Sequence, residues 1–256
     1  MLVGLVPMGG RAERWAPLVT PKELLPFGQR DDDRPGLVVD QALGAMLLAG
    51  VERIVIPITP HKVVDVMRYL GSRLSNGALI CYVVAPGPTL TANLAACYEL
   101  LSGHDVIFAM PDTAFSPLDI LRRCHQRLTG GAELALGLFP SSEPEDLDVV
   151  DHSEGRALLV RPKPRSSGSP GGDIWGVAAW GPGFSERMRR WPTRSRAPLG
   201  AIFQSVISQG AGNCAVELGD SYVDLGCYSR YRAALALHAA GRPPAESTSA
   251  YHAARQ

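Results

Sequence analysis

The chain has 256 residues, 46% of them apolar and 20% charged, which allows a sizeable buried core and excludes the composition range of disordered proteins. Its 25 basic residues balance its 25 acidic ones, so no global field selects a nucleic acid or a membrane surface, and an anionic ligand has to be drawn in by a local arrangement of charge. The five cysteines (Cys81, Cys97, Cys124, Cys214, Cys227) never fall in CxxC spacing, which argues against a disulfide framework or zinc cluster and for a reducing, cytoplasmic setting.

The opening Met1-Leu2-Val3-Gly4-Leu5 lacks a basic n-region and a cleavage site, and reads as a first core strand. The apolar stretch from Leu37 to Val51 is broken by Asp40 and Gln41 and is too short to span a bilayer. Leu2–Pro7, Arg53–Ile58, Leu79–Val84 and Asp105–Met110 are continuous apolar runs of the kind found in parallel sheets covered on both faces. Between them Val38–Leu48, Lys62–Leu70 and Thr91–Leu101 carry apolar residues at helical spacing, with Gly50, Gly71 and Gly103 as stop signals. A helix over Leu118–Leu128 and a strand over Glu133–Leu138 follow. The second half is less regular: short strands are expected at Leu147–Val150 and Ala157–Val160, then a flexible loop from Pro164 to Asp173. Ile174–Trp180, Cys214–Leu218 and Tyr222–Leu225 are expected to return to the sheet, with helices near Pro198–Ser208 and Tyr228–Ala240. The expected fold is α/β and Rossmann-like, a mixed, mainly parallel sheet with helices on both faces. Residues 1–240 form one domain in this reading, and 241–256 a flexible tail.

The chemistry-bearing residues cluster at strand ends. Met8-Gly9-Gly10 follows the first strand, where paired glycines let the backbone turn sharply and approach a ligand; the spacing is neither the GxGxxG of a dinucleotide-binding oxidoreductase nor a P-loop. Arg14 and Lys22 follow, the lysine framed by Pro21 and the run Leu24-Leu25-Pro26. Asp112 closes the strand Asp105–Met110, and Asp224 lies in Tyr222-Val223-Asp224-Leu225-Gly226. An aspartate shortly before a helix is a common cap. The six histidines show no metal-ligand spacing.

The stretch from Leu2 to Gly28 resembles the opening signature of the sugar-1-phosphate nucleotidylyltransferases, the group that contains glucose-1-phosphate thymidylyl- and uridylyltransferases. The resemblance continues in order to about Ala240, through Pro111-Asp112, Arg161-Pro162-Lys163-Pro164, Asp173-Ile174-Trp175-Gly176-Val177 and Tyr222-Val223-Asp224-Leu225-Gly226. It implies a GT-A type fold and an enzyme of nucleotide-sugar biosynthesis. Such an enzyme joins a nucleoside triphosphate to a sugar 1-phosphate, giving an NDP-sugar and pyrophosphate, with Mg²⁺ on Asp112 and Asp224. The implied roles are phosphate contacts for Arg14 and Lys22, and nucleotide binding for Met8, Gly9, Gly10, Ala85 and Leu90. Lys163 would grip the sugar phosphate, and Gly176 would leave room for the sugar ring. No nucleic acid or membrane partner is implied, and homo-oligomerisation stays open.

The chain departs from the family pattern in several places. Glu13 stands where a hydroxyl residue is usual, Pro111 and Leu90 where glycine is, Ala85 where a base-reading amide is, and Pro162 where a glutamate is. These departures motivate a second reading, a regulatory relative that binds nucleotide or sugar phosphate without turnover. An aminotransferring or CTP-dependent alcohol-phosphate variant of the fold also stays open.

Overall fold

The computed structural model describes residues 1–10, 13–18, 20–29, 35–85, 87, 89–141, 147–161, 163, 171–191, 198–209 and 214–239. The tail 241–256 and most of the 164–173 loop, both expected to be flexible, lie outside the described residues.

Five strands and four helices build the first part: β1 (Leu2–Leu5), the short strands β2 (Pro26–Gln29) and β3 (Pro35–Leu37), α1 (Asp40–Leu48), β4 (Arg53–Ile58), α2 (Pro60–Leu70), β5 (Leu79–Val84), α3 (Leu90–Ala95) and α4 (Tyr98–Leu101). Then come β6 (Asp105–Ala109), β7 (Thr113–Ser116), α5 (Ile120–Thr129), β8 (Leu134–Ser141), β9 (Val149–Ser153), β10 (Arg156–Arg161) and β11 (Gly172–Trp180). The chain finishes with α6 (Pro182–Arg190), α7 (Leu199–Ser208), β12 (Cys214–Leu218), β13 (Ser221–Asp224) and α8 (Tyr228–Ala239).

The main sheet is mixed, in the order β5-β4-β1-β6-β11-β8-β12-β10-β9. Its first four strands are parallel, as the continuous apolar runs require. Beyond β6 the neighbours are antiparallel, apart from the parallel pair β12 and β8. Side chains alternate between two cores. Leu2, Val6, Ile107 and Ala109 face α1, α2 and α5, whereas Val3, Leu5, Val106 and Phe108 face α3, α6 and α7.

Two expectations need correction, and one helix was not expected. The helix expected over Thr91–Leu101 is two helices, because the backbone tightens at the join: the Cys97 N–H donates to Leu94 O. The segment Tyr222–Leu225 does not return to the main sheet; β13 pairs with β7 in a separate antiparallel ribbon. Helix α6 was not among the expected elements; it starts at Pro182, where a proline is well tolerated in the first turn of a helix.

Phe203 on α7 is fully buried, packed edge-on against Trp175 of β11 at 5.1 Å. Phe203→Ala is expected to cost about 3–5 kcal/mol, read as a lower urea midpoint at unchanged slope.

Candidate active site

The order of the parallel strands reverses beside β1: the chain runs from β1 outward to β4 and β5, then crosses back to β6 on the other side. Helices leave from opposite faces at such a point, and a crevice opens beyond the carboxyl ends of the strands. Pro7, Gly9 and Gly10 after β1, and Met110, Pro111 and Asp112 after β6, line that crevice. Gly9 needs its missing side chain, because a Cβ there would lie 2.5 Å from Asn93 Nδ2. Asn93 is itself fixed by accepting the Gly87 N–H at 2.9 Å.

The ribbon β7–β13 brings the two aspartates together. Its register sets Asp224 opposite Thr113, next to Asp112, and the Leu225 N–H donates to Asp112 O at 2.9 Å. A Cβ built on Gly226 would lie 2.6 Å from Asp224 Oδ1, 2.8 Å from Arg14 Nη2 and 3.2 Å from Asp112 Oδ2. Both carboxylates and the guanidinium therefore converge on one point that only glycine leaves free. Lys22 donates from Nζ to Asp112 Oδ2. Asp224 accepts the Gly226 N–H at 2.7 Å and Arg230 Nη1 at 2.9 Å. Burial pulls the Lys22 ammonium down, but Asp112, with Glu23 and Asp224 behind it, more than reverses this and raises its pKa above the ordinary 10.5. Tyr222 lies beneath the cluster; burial and the two carboxylates push its phenol upward, so it stays neutral.

Arg14 and Lys22 ride on short 3-10 turns, Glu13–Trp15 and Lys22–Leu24, and need external anchors. Trp15 supplies one: its Nε1 donates to Gly226 O at 2.9 Å and its ring meets Tyr231 of α8 at 5.4 Å. The other is a buried ion pair, in which Lys62 Nζ of α2 reaches both oxygens of Glu23 at 2.9 and 3.1 Å, with the side chains 2% and 1% exposed. The Val39 N–H also donates to Glu23 O. Lys22 is thus held by the residue next to it.

Two lobes meet at this cluster, of about 570 Å³ and 450 Å³. They share Arg14, Lys22, Thr89, Leu90, Met110 and Asp112. The first lobe is completed by Gly9, Gly10, Thr59, His61, Gly87 and Asn93. The second is completed by Leu147, Asp148, Lys163, Trp175, Leu199 and Tyr222 among others.

Six of the expected site residues, Gly9, Gly10, Arg14, Lys22, Leu90 and Asp112, therefore border the first lobe, and Asp224 and Lys163 the second. Three are placed otherwise. Met8 is fully buried in the core, its N–H donating to Pro57 O. Ala85 is 5% exposed and extends β5 by donating to Ile58 O. Gly176 leaves no room for a sugar ring: a Cβ there would lie 2.4 Å from Tyr222 and 2.8 Å from Phe139, so its vacant side is filled by those rings. Glu13 falls in the first 3-10 turn, and its side chain is outside the described residues. Asp112 caps no helix, because β7 follows it. Asn93, Asp148 and the Glu23–Lys62 pair were not singled out in the sequence. Asp148 alone left a signal there, as a single carboxylate inside the apolar run Leu147–Val150.

Removing one partner of a buried pair strands the other's charge. Lys62→Met is expected to lower unfolding free energy by about 3–5 kcal/mol, and the double variant Glu23→Gln/Lys62→Met to recover most of that loss; chemical denaturation of the three proteins measures both.

No protein-family model matches the chain. Among solved structures, one from Bacillus anthracis assigned as a glucose-1-phosphate thymidylyltransferase, in complex with sucrose, aligns with a TM-score of 0.79 at 20% identity, over 93% of this chain and 95% of its own. A UTP-bound UGPase from Acinetobacter baumannii aligns with a TM-score of 0.73 at 15% identity, over 95% of both chains. The chain has the fold of these sugar-phosphate nucleotidyltransferase structures, the group its sequence resembles.

Proposed function

We propose that the protein is a nucleotidyltransferase that couples a nucleoside triphosphate to a phosphorylated small molecule of the sugar 1-phosphate class, releasing pyrophosphate. The observation that carries this reading is the convergence of Asp112, Asp224, Arg14 and Lys22 at the waist between two lobes. A transfer between two phosphates needs two anionic substrates held on either side of one charged centre, and the cleft has that layout. The glycine-lined lobe suits the nucleotide, since Gly10 has nothing within 4 Å of where a Cβ would stand and permits close approach to bare backbone. The lobe with Lys163 suits the acceptor.

Mg²⁺ fits the donor set: the ion prefers hard oxygen ligands, and Asp112 and Asp224 offer two carboxylates aimed at one point. When bound it supplies positive charge to the reacting phosphate oxygens. An oxygen of the acceptor phosphate attacks the α-phosphorus; a P–O bond forms there as the bond to pyrophosphate breaks. The nucleophile is already an anion, so no general base is needed. Arg14, a planar fork of donors, and Lys22, a point charge held beside Asp112, stabilise the charge that spreads over the phosphoryl oxygens. Gly226 keeps the meeting point clear. The regulatory alternative has less support, because the full set of charged residues is assembled with its anchors.

Asp112→Asn and Asp224→Asn are each expected to cut pyrophosphate release by roughly two to three orders of magnitude without loss of fold by circular dichroism. Undiminished release in either, or full turnover in EDTA, overturns the reading. Arg14→Lys should lower kcat more than it raises KM, because a point charge cannot replace the fork as charge redistributes; steady-state kinetics on a turned-over substrate pair decide this.

A further inference from the structure

The second lobe holds a charge that the proposed chemistry does not use. Asp148, just before β9, is 4% exposed yet lines the cleft. Its Oδ1 accepts the Lys163 N–H at 3.1 Å and its Oδ2 accepts Trp175 Nε1 at 3.2 Å, both neutral donors. Among the described residues no lysine, arginine or histidine side chain pairs with it. A buried carboxylate without a cation is costly. The fold nonetheless makes room for this one, since a Cβ on Gly200 of α7 would lie 2.1 Å from Asp148 Oδ2.

The walls around it are apolar and aromatic: Leu147, Pro198, Leu199, Trp175 and Tyr222. The hydroxyl of Thr113, which also borders the lobe, is already donated to Met110 O. Thr89 and Lys163 border the same lobe and face a ligand's other polar groups. A carboxylate set among aromatic faces suits an ammonium, which gains from both. We infer that the acceptor is a phosphate ester that also carries a cationic nitrogen, a protonated amine or a quaternary ammonium, and that Asp148 with the Trp175 ring recognises that charge. This rests on the transfer reaction proposed above, in which the nitrogen takes no covalent part.

The test uses acceptors matched in shape and differing in charge: glucosamine 1-phosphate against glucose 1-phosphate, and ethanolamine phosphate against glycol phosphate. Pyrophosphate release is measured on the full chain with Mg²⁺ and each common nucleoside triphosphate, and acceptor binding by calorimetry. The cationic member of at least one pair is expected to lead by roughly tenfold or more in kcat/KM and in affinity. Asp148→Asn removes the charge and keeps one of the two oxygen acceptors, and should bring that ratio to about one, the cationic member losing more in kcat/KM than the neutral member. Equal turnover of both members by the wild type overturns the inference and leaves the transfer reaction standing. Selective, Asp148-dependent binding of the cationic phosphates without pyrophosphate release overturns the reaction and leaves the recognition standing. No binding of either cationic phosphate overturns the recognition. If Asp148→Asn loses the fold, the wild-type ratio decides, since a carboxylate that only anchors Trp175 and the Lys163 backbone would not tell matched acceptors apart.

Discussion

The register of a two-stranded ribbon governs this site. Asp112 and Asp224 are far apart in sequence, and neither side chain by itself has any reason to be near the other, since like charges repel. The pairing of β7 with β13 overrides that repulsion, because backbone hydrogen bonds fix Asp224 opposite Thr113 whatever the side chains prefer. A slip of one residue would turn the second carboxylate to the other face of the ribbon. Lys22 and Arg230 then reduce the repulsion by pairing with one aspartate each. The charged centre is thus imposed by the backbone and tuned by side chains.

The two basic residues that matter most lie outside regular structure, so their precision comes from anchors. Trp15 ties the Arg14 turn to the loop after β13, and Glu23 ties the Lys22 turn to α2. A buried ion pair adds little net stability compared with apolar packing, but it tolerates few alternative geometries. Here it fixes the backbone turn that also carries Lys22, whose side chain pairs with Asp112.

The parallel half of the sheet was legible because its strands carry continuous apolar runs, buried on both faces in β1 and β4 and half-exposed at the edge strand β5, and the bounds of Arg53–Ile58 and Leu79–Val84 were read to the residue. The four charged residues at the waist were legible through spacing and resemblance. Short pairings were not: Thr113–Ser116 looks like the approach to a helix, and only its distant partner makes it a strand. Gly176 shows the same limit, since a missing side chain announces close approach without saying by what, and the neighbour is Tyr222. Asp148 was visible as an anomaly in an apolar strand, but its indole and backbone partners come from segments that the sequence does not place beside it.

The anchoring of Trp15 has a consequence for how the protein is made. Its hydrogen-bond acceptor is Gly226, and Tyr231 of α8 both packs on its ring and donates its hydroxyl to Pro26 O at 2.6 Å. The glycine-arginine-lysine segment near the start of the chain is therefore shaped by residues near its end. During synthesis β1, β4 and β5 can pair as they leave the ribosome, whereas the Arg14 turn stays without its Trp15 anchor until α8 is released. A nascent chain shorter than that has most of the sheet and can form the Lys22–Asp112 pair, but it lacks Asp224 and the partners of Trp15, so the charged centre is incomplete.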